Sequence, residues 1–187
     1  MDIHTIISGI APLPLTSAHS LTAIVHPITL RKGHLLFRAG KLERDIYFIS
    51  QGLARVYYHH RGNEVTLCFG TEGDALISLK SYIQHRPGYE HIELLETSEL
   101  YHLKITDLHQ LYTHDIQIAN WGRKLAEQEL IKTEERLMSR QFKTAAERYQ
   151  ELIKNQPNLL QRVQLGYIAS YLGISQVTLS RIRAEIR

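Results

Sequence analysis

Between about Thr16 and Leu103 the apolar residues come in short runs: "DIYFIS", "LARVYYHH", "EVTLCFG" and "SELYHL". The runs are rich in Ile, Val, Tyr and Phe, which fit a pleated, half-buried surface. Turn-forming clusters separate them: "RKG", "AGK", "SQG", "HRGN", "TEGD" and "RPG". Many short strands punctuated by glycine predict an antiparallel jelly roll or barrel. A short helix is expected before them, near Ser17–Val25.

The period changes near Thr106. From Ile116 to Arg140 there is no proline and one glycine, Gly122. Apolar residues fall at Ile118, Trp121, Leu125, Leu130 and Leu137, with charges between them. This spacing predicts one amphipathic helix of roughly 35 Å at 1.5 Å per residue. That is longer than cover for one small roll requires. The five apolar residues are therefore expected to meet the same helix of a second copy; the alternative is a helix lying on its own roll. Trp121 in particular is expected to serve core packing.

Three further helical patterns follow. "KTAAERYQELIKNQP" is stopped by Asn155 and Pro157, "LLQRVQLGYIASYL" reads as a second helix and "SQVTLSRIRAEIR" as a third. The expected fold class is α+β, in three parts: a β-roll over 1–115, a long helix over 116–140 and a helical end over 141–187.

The last two helices form a recognisable pair. Ser175 is placed to cap the final helix by accepting from the N–H of Val177 or Thr178. Leu179, Ile182 and Ile186 recur on its inner face. Ile168, Ala169 and Leu172 face it from the preceding helix, where the small Ala169 lets the axes approach. Gly173 sits in the turn, where a positive φ is cheap for glycine, and Ile174 fills the corner. This is the layout of a helix-turn-helix. Its free face presents Gln176, Val177, Ser180 and Arg181, with Thr178 in the first turn. In a major groove glutamine can pair with adenine, and arginine with O6 and N7 of guanine. The helix N-terminus and Ser175 can meet a phosphate.

Charge agrees with that reading. The 187-residue chain carries a net +3, but from Asn120 onward 12 Lys+Arg stand against 7 Asp+Glu. A basic C-terminal part suits a polyanionic partner. The single cysteine, Cys68, excludes an internal disulfide and a four-thiolate iron–sulfur cluster. No run is long and apolar enough for a membrane span. The opening "MDIHTIISGIAPLPL" carries Asp2 where a secretion signal has a basic residue, so it is read as part of the fold. A cytoplasmic protein is expected.

In order and in motif the chain resembles the Crp/Fnr (catabolite activator-type) family of bacterial transcription regulators. "RKGHLLFRAGKLERDIYFISQGLARVYY", with Gly33, Gly40 and Gly52, then "EGD" at Glu72–Asp74, resembles the family's cyclic-nucleotide-binding jelly roll. "YIASYLGISQVTLSRIR" resembles its DNA-reading unit. The resemblance implies a cytoplasmic homodimer that places two recognition helices in successive major grooves of double-stranded DNA. Base contacts map onto Gln176, Val177 and Arg181, with Ser175 and Thr178 nearer the backbone. Val177 stands where an acidic reader is common; it can touch a thymine methyl but cannot accept from cytosine. RNA polymerase and an effector of unknown identity are the further partners such a regulator would meet.

The resemblance weakens in the ligand pocket. Members that bind cyclic AMP carry a Gly-Glu pair for the ribose and an Arg-Ser or Arg-Thr pair for the phosphate. Here those places fall at Ile77–Ser78 and at Gly88–Tyr89, and Arg86 is displaced by two residues. Without the glutamate and arginine, the charge-assisted bonds are lost, so cyclic AMP is not expected to bind in the usual way. An effector pocket, if retained, would involve Leu76, Ser78, Tyr89 and Thr133. No cofactor is expected. Nothing after Arg187 supplies the β-hairpin wing that many members carry.

Other chemistry is not indicated. All eleven histidines lie at or before His114. Adjacent His59 and His60 point to opposite faces of a strand, so they cannot form the His-x-His metal motif of a cupin. A solvated hairpin tip is expected there, and Cys68 is expected to be buried and small. No catalytic residue set or metal site is expected. The leading expectation is a homodimeric, sequence-specific DNA-binding regulator. The alternatives are a ligand-sensing or protein-interaction module that does not bind DNA, and a barrel enzyme.

Overall fold

The computed structural model describes residues 1–186. They form two compact units: Met1–Val56 with Phe69–Leu130, and Tyr57–Cys68 with the chain from Ile131 onward.

The first unit opens with helices α1 (Ile3–Ile10) and α2 (Leu15–Ala23). The sequence reading expects α2 and not α1. Its cues are there, since Ile3, Ile6, Ile7 and Ile10 recur at i, i+3, i+4 and i+7 and the Asp2 carboxylate caps it by accepting from the Thr5 N–H at 3.0 Å, but the two prolines that follow mask them. Then come β1 (His26–Leu30), β2 (Leu35–Phe37), β3 (Asp45–Gln51), β4 (Ala54–His60), β5 (Asn63–Gly70) and β6 (Ala75–Leu76), of which the β4–β5 hairpin from Tyr57 to Cys68 belongs to the second unit. Helix α3 (Leu79–Gln84), β7 (His91–Leu94), β8 (Ser98–Lys104) and α4 (Ile105–His114) follow.

The strands form two four-stranded sheets, ordered β1-β8-β3-β6 and β2-β7-β4-β5. The expected antiparallel roll is present. Ile46 lies opposite Leu103 on one face of the sheet and Ile49 opposite Leu100 on the other, all fully buried. Phe37, Ile49, Ala54, Leu76, Ile92, Leu94 and Leu100 form one core cluster. Gly52 turns the chain between β3 and β4 with φ +138, and a Cβ there would run into the Ser98 side chain and backbone.

A second cluster joins the helices to the roll: Ile6, Ile7, Leu21, Ile46, Phe48, Leu103, Leu108, Ile118, Trp121 and Leu125. The last three belong to α5 (Ile116–Phe142), the predicted long helix. Asp115 caps it, its Oδ1 accepting from the Gln117 N–H at 2.8 Å. A hydrogen bond from Ser17, and those from the Ile118 and Gln117 amides, hold the Asp115 carboxyl below its ordinary range.

In the second unit, α6 (Ala145–Asn155) starts at a capping box between Thr144 and Glu147 and stops where Asn155 and Pro157 predict. The single helix expected over "LLQRVQLGYIASYL" is two: α7 (Leu159–Arg162) and α8 (Leu165–Leu172). Val163 and Gln164 between them are extended, with ψ 137 and 139. Val163 is buried, and Gln164 is the N-cap residue from which α8 starts afresh. Helix α9 (Gln176–Glu185) closes the described chain.

Candidate nucleic-acid interface

The pair α8–α9 is joined as its sequence predicts. Gly173 ends α8 with φ 70 and ψ 32. The Ile174 N–H reaches back to the Ala169 carbonyl at 3.0 Å. Arg148 of α6 secures the same helix end by donating to the Leu172 carbonyl at 2.8 Å. Ile168, Ala169 and Leu172 are buried, as are Leu179 and Ile182 across from them. Ile186 is not: it lies at the C-cap of α9 and is 37% exposed, because the helix ends before a third inward turn.

Ser175 caps α9, accepting from the Thr178 N–H at 3.1 Å, and its hydroxyl also pairs with that of Thr178 at 2.9 Å. The cap therefore engages both hydroxyls. Ser180 donates back to the Gln176 carbonyl at 3.0 Å. Gln176, Val177, Thr178, Ser180 and Arg181 are all exposed. At about 100° per residue, Gln176 with Ser180 and Val177 with Arg181 form two adjacent i, i+4 rows. Both rows lie away from Leu179 and Ile182. The sequence-predicted reading residues thus share one free face, with the unpaired N–H groups of the first turn beside it.

Helix α5 has two faces of different kind. Ile118, Trp121 and Leu125 are buried in the chain's own core. This corrects the expected place of Ile118 and Leu125 between two copies, and Trp121 serves core packing: α1 and the roll supply the surface that was expected from a second chain. The Trp121 indole donates to the Ile7 carbonyl at 2.9 Å, and Gln128 to that of Ile10 at 3.1 Å. Leu130 and Leu137, the other two predicted contacts, are 68% and 58% exposed. Exposed Ile131, Met138 and Phe142 accompany them.

The four residues expected to line an effector pocket differ in surroundings. Leu76 belongs to the roll's packed core, Ser78 is buried, and Tyr89 and Thr133 are exposed. Packing thus removes Leu76 from the ligand-contact role. What the sequence reading missed is Glu90, a carboxylate only 9% exposed. Both of its oxygens, and the Ser78 hydroxyl, lie within 3.0 Å of where a Cβ on Gly88 would stand. Glu90 accepts from the Tyr89 N–H at 3.0 Å, while Ser78 donates to Ser81, which donates to the Arg86 carbonyl. By the resemblance, Gly88–Tyr89 is the place of the phosphate-binding arginine. A carboxylate held there repels a phosphate, so these residues do not fit a cyclic nucleotide bound in the usual way. A buried Arg55 paired with Glu93 at 3.3 Å also escaped the sequence reading; it reads as one more polar residue in a strand.

Residues 59 and 60 are exposed beside the hairpin turn, as expected. Cys68 is half-buried rather than fully buried. Among the described residues no group of three His, Cys, Asp or Glu side chains could hold a metal ion, and no helix is long and apolar enough to cross a membrane.

Residues 27–115 match the family model of the cyclic nucleotide-binding domain. Comparison with curated proteins finds no match. Among solved structures, the chain is similar to FixK2 from Bradyrhizobium japonicum, at 19% identity over 87% of this chain and 84% of that one, with a TM-score of 0.76. It is similar to the c-di-GMP responsive global regulator CLP from Xanthomonas campestris, at 15% identity over 92% and 91%, with a TM-score of 0.72. It is also similar to the catabolite activator protein of Thermus thermophilus, at 19% identity over 95% and 85%, with a TM-score of 0.59. Residues 27–115 are thus similar to the cyclic nucleotide-binding domain. The chain as a whole has the fold of the catabolite activator-type, or Crp/Fnr, transcription regulators.

Proposed function

We propose that this chain is a sequence-specific DNA-binding transcription regulator that acts as a homodimer and does not respond to cyclic AMP through the usual pocket. The observation that carries the reading is the free face of α9, where Gln176, Val177, Ser180 and Arg181 stand exposed on a helix anchored by Leu179 and Ile182. Nothing in the packing of the second unit requires those side chains. Arg181 supplies a bidentate guanine contact, Gln176 an adenine contact and Val177 a methyl contact. Ser175 and Thr178 face the phosphates, and the N-terminus of α9 adds favourable N–H groups.

Leu130, Ile131, Leu137, Met138 and Phe142 support the dimer. Five large apolar side chains left in water along one helix are costly, and burial against a second copy stabilises each by roughly 1.5–3 kcal/mol when complete. Two recognition helices then meet two half-sites about one helical turn apart. The cytoplasm is the compartment in which such a regulator works, and RNA polymerase is its further partner there.

Arg181→Ala tests the reading. Loss of a guanine contact weakens binding to a selected duplex by about 1–3 kcal/mol and relaxes the sequence preference at one position. Unchanged affinity would contradict the assigned reading face.

A further inference from the structure

Strand β5 lies at the edge of its sheet. An edge strand presents a row of outward N–H and C=O groups that needs covering. On such a strand, residues two apart turn these groups to the same side, here Glu64 and Thr66. Both are met by helices of the same compact unit. The Ser170 hydroxyl of α8 donates to the Glu64 carbonyl at 3.1 Å and accepts from the Thr66 N–H at 2.9 Å. One side chain thus imitates the two bonds of a neighbouring strand. Arg140 of α5 takes the next group, donating to the Thr66 carbonyl at 3.3 Å and, with the same nitrogen, to the Tyr171 carbonyl at 3.0 Å. Thr66 is fully buried as a result.

Helix α8 therefore works on two sides. Ile168, Ala169 and Leu172 are buried on the side that holds α9, and Ser170 projects from another and grips the hairpin. The strands of that hairpin run on without a break into the roll, since β4 spans Ala54–His60 and β5 spans Asn63–Gly70. We propose that Ser170, supported by Arg140, is a positioning latch that makes the helix-turn-helix and the β4–β5 hairpin one rigid body. A shift of these strands in the roll is then transmitted to the reading helix. The latch leaves Gln176, Val177 and Arg181 exposed, so its role is to orient the reading face rather than to cover it.

This inference rests on the DNA-reading function proposed above, and the test separates the two. Ser170→Ala removes both bonds while favouring the helix it sits in. The full-length protein is examined by hydrogen exchange at the Thr66 amide, and by binding to two duplexes. One is the sequence that the unaltered protein enriches from a random library; the other is the same duplex with one half-site scrambled. Ser170→Ala is expected to speed Thr66 exchange roughly five- to tenfold, the scale of one lost hydrogen bond. It is expected to weaken two-half-site binding by a similar factor and to leave single-half-site binding unchanged. Arg140→Gln acts on the same strand from α5 and should shift both readouts in the same direction. Equal Thr66 exchange in the two proteins overturns the latch. Faster exchange with unchanged or stronger two-half-site binding overturns its orienting role. Failure of the unaltered protein to enrich any duplex overturns the DNA-reading function, and the coupling with it.

Discussion

The indole N–H of Trp121 donates to the carbonyl oxygen of Ile7 at 2.9 Å. That bond decides which face of α5 the chain keeps for itself. Trp121 is 1% exposed, and it sits on Phe48 of the roll edge-on at 6.2 Å between ring centroids. Trp121→Ala removes both the bond and the packing. It should destabilise the first unit by about 3–5 kcal/mol, measured by urea denaturation.

The outer face should behave in the opposite way. Leu137→Glu places a charge where the proposed dimer buries an apolar side chain. The expected outcome is a monomer by light scattering at micromolar concentration, with the roll still folded by circular dichroism. A dimer that survives this change would place the interface elsewhere.

The turn of the helix pair makes a backbone prediction. Gly173 holds φ 70, and a Cβ added there meets no neighbouring atom, so the cost of substitution is purely conformational. Gly173→Ala should cost about 1–2 kcal/mol, read as a lower melting temperature of the intact protein.

A pH dependence follows from His109. Its ring packs between those of Tyr82 and Tyr112, at centroid distances of 5.2 and 5.7 Å. Burial first, and His85 second, hold its pKa below the ordinary 6.5. The unfolded chain then takes the proton more readily than the folded one. Stability contributed by the neutral ring is full above the ordinary value and declines as pH falls from there towards the folded pKa. His109→Gln should flatten that part of the stability profile, measured as the urea midpoint across pH 5–8.

The carboxylate of Glu90 makes a ligand prediction. Calorimetric titration with cyclic AMP up to about 1 mM should show no saturable heat. Saturable binding would mean that Ser78 and Glu90 rearrange to admit a phosphate.

Much of this was legible in the chain. Short runs such as "DIYFIS" and the glycine turns between them give the roll, because runs of Ile, Val, Tyr and Phe bounded by turn residues mark strands. Ser175, Gly173 and the Leu179/Ile182 spacing give the helix pair, because caps and turns are local chemistry. Apart from α1, whose period in Ile3, Ile6, Ile7 and Ile10 is local, the misses are non-local. Ile118, Trp121 and Leu125 carry a helical period whichever surface they meet, and the period does not say that α1 is that surface. Glu90 lies only two residues from Gly88 in sequence, but its burial is set by the fold around it. Thr66 and Ser170 are 104 residues apart, and neither residue type announces the bond between them.

The most direct test of the DNA-reading claim is selection of bound duplexes from a random library by the full-length protein, in about 100–150 mM salt, where phosphate contacts alone are weak. A DNA-reading α9 enriches a two-fold symmetric sequence with half-sites about one helical turn apart, without added cyclic AMP, and Arg181→Ala loses that enrichment. Retention of duplexes without sequence preference, equal in the two proteins, would contradict it.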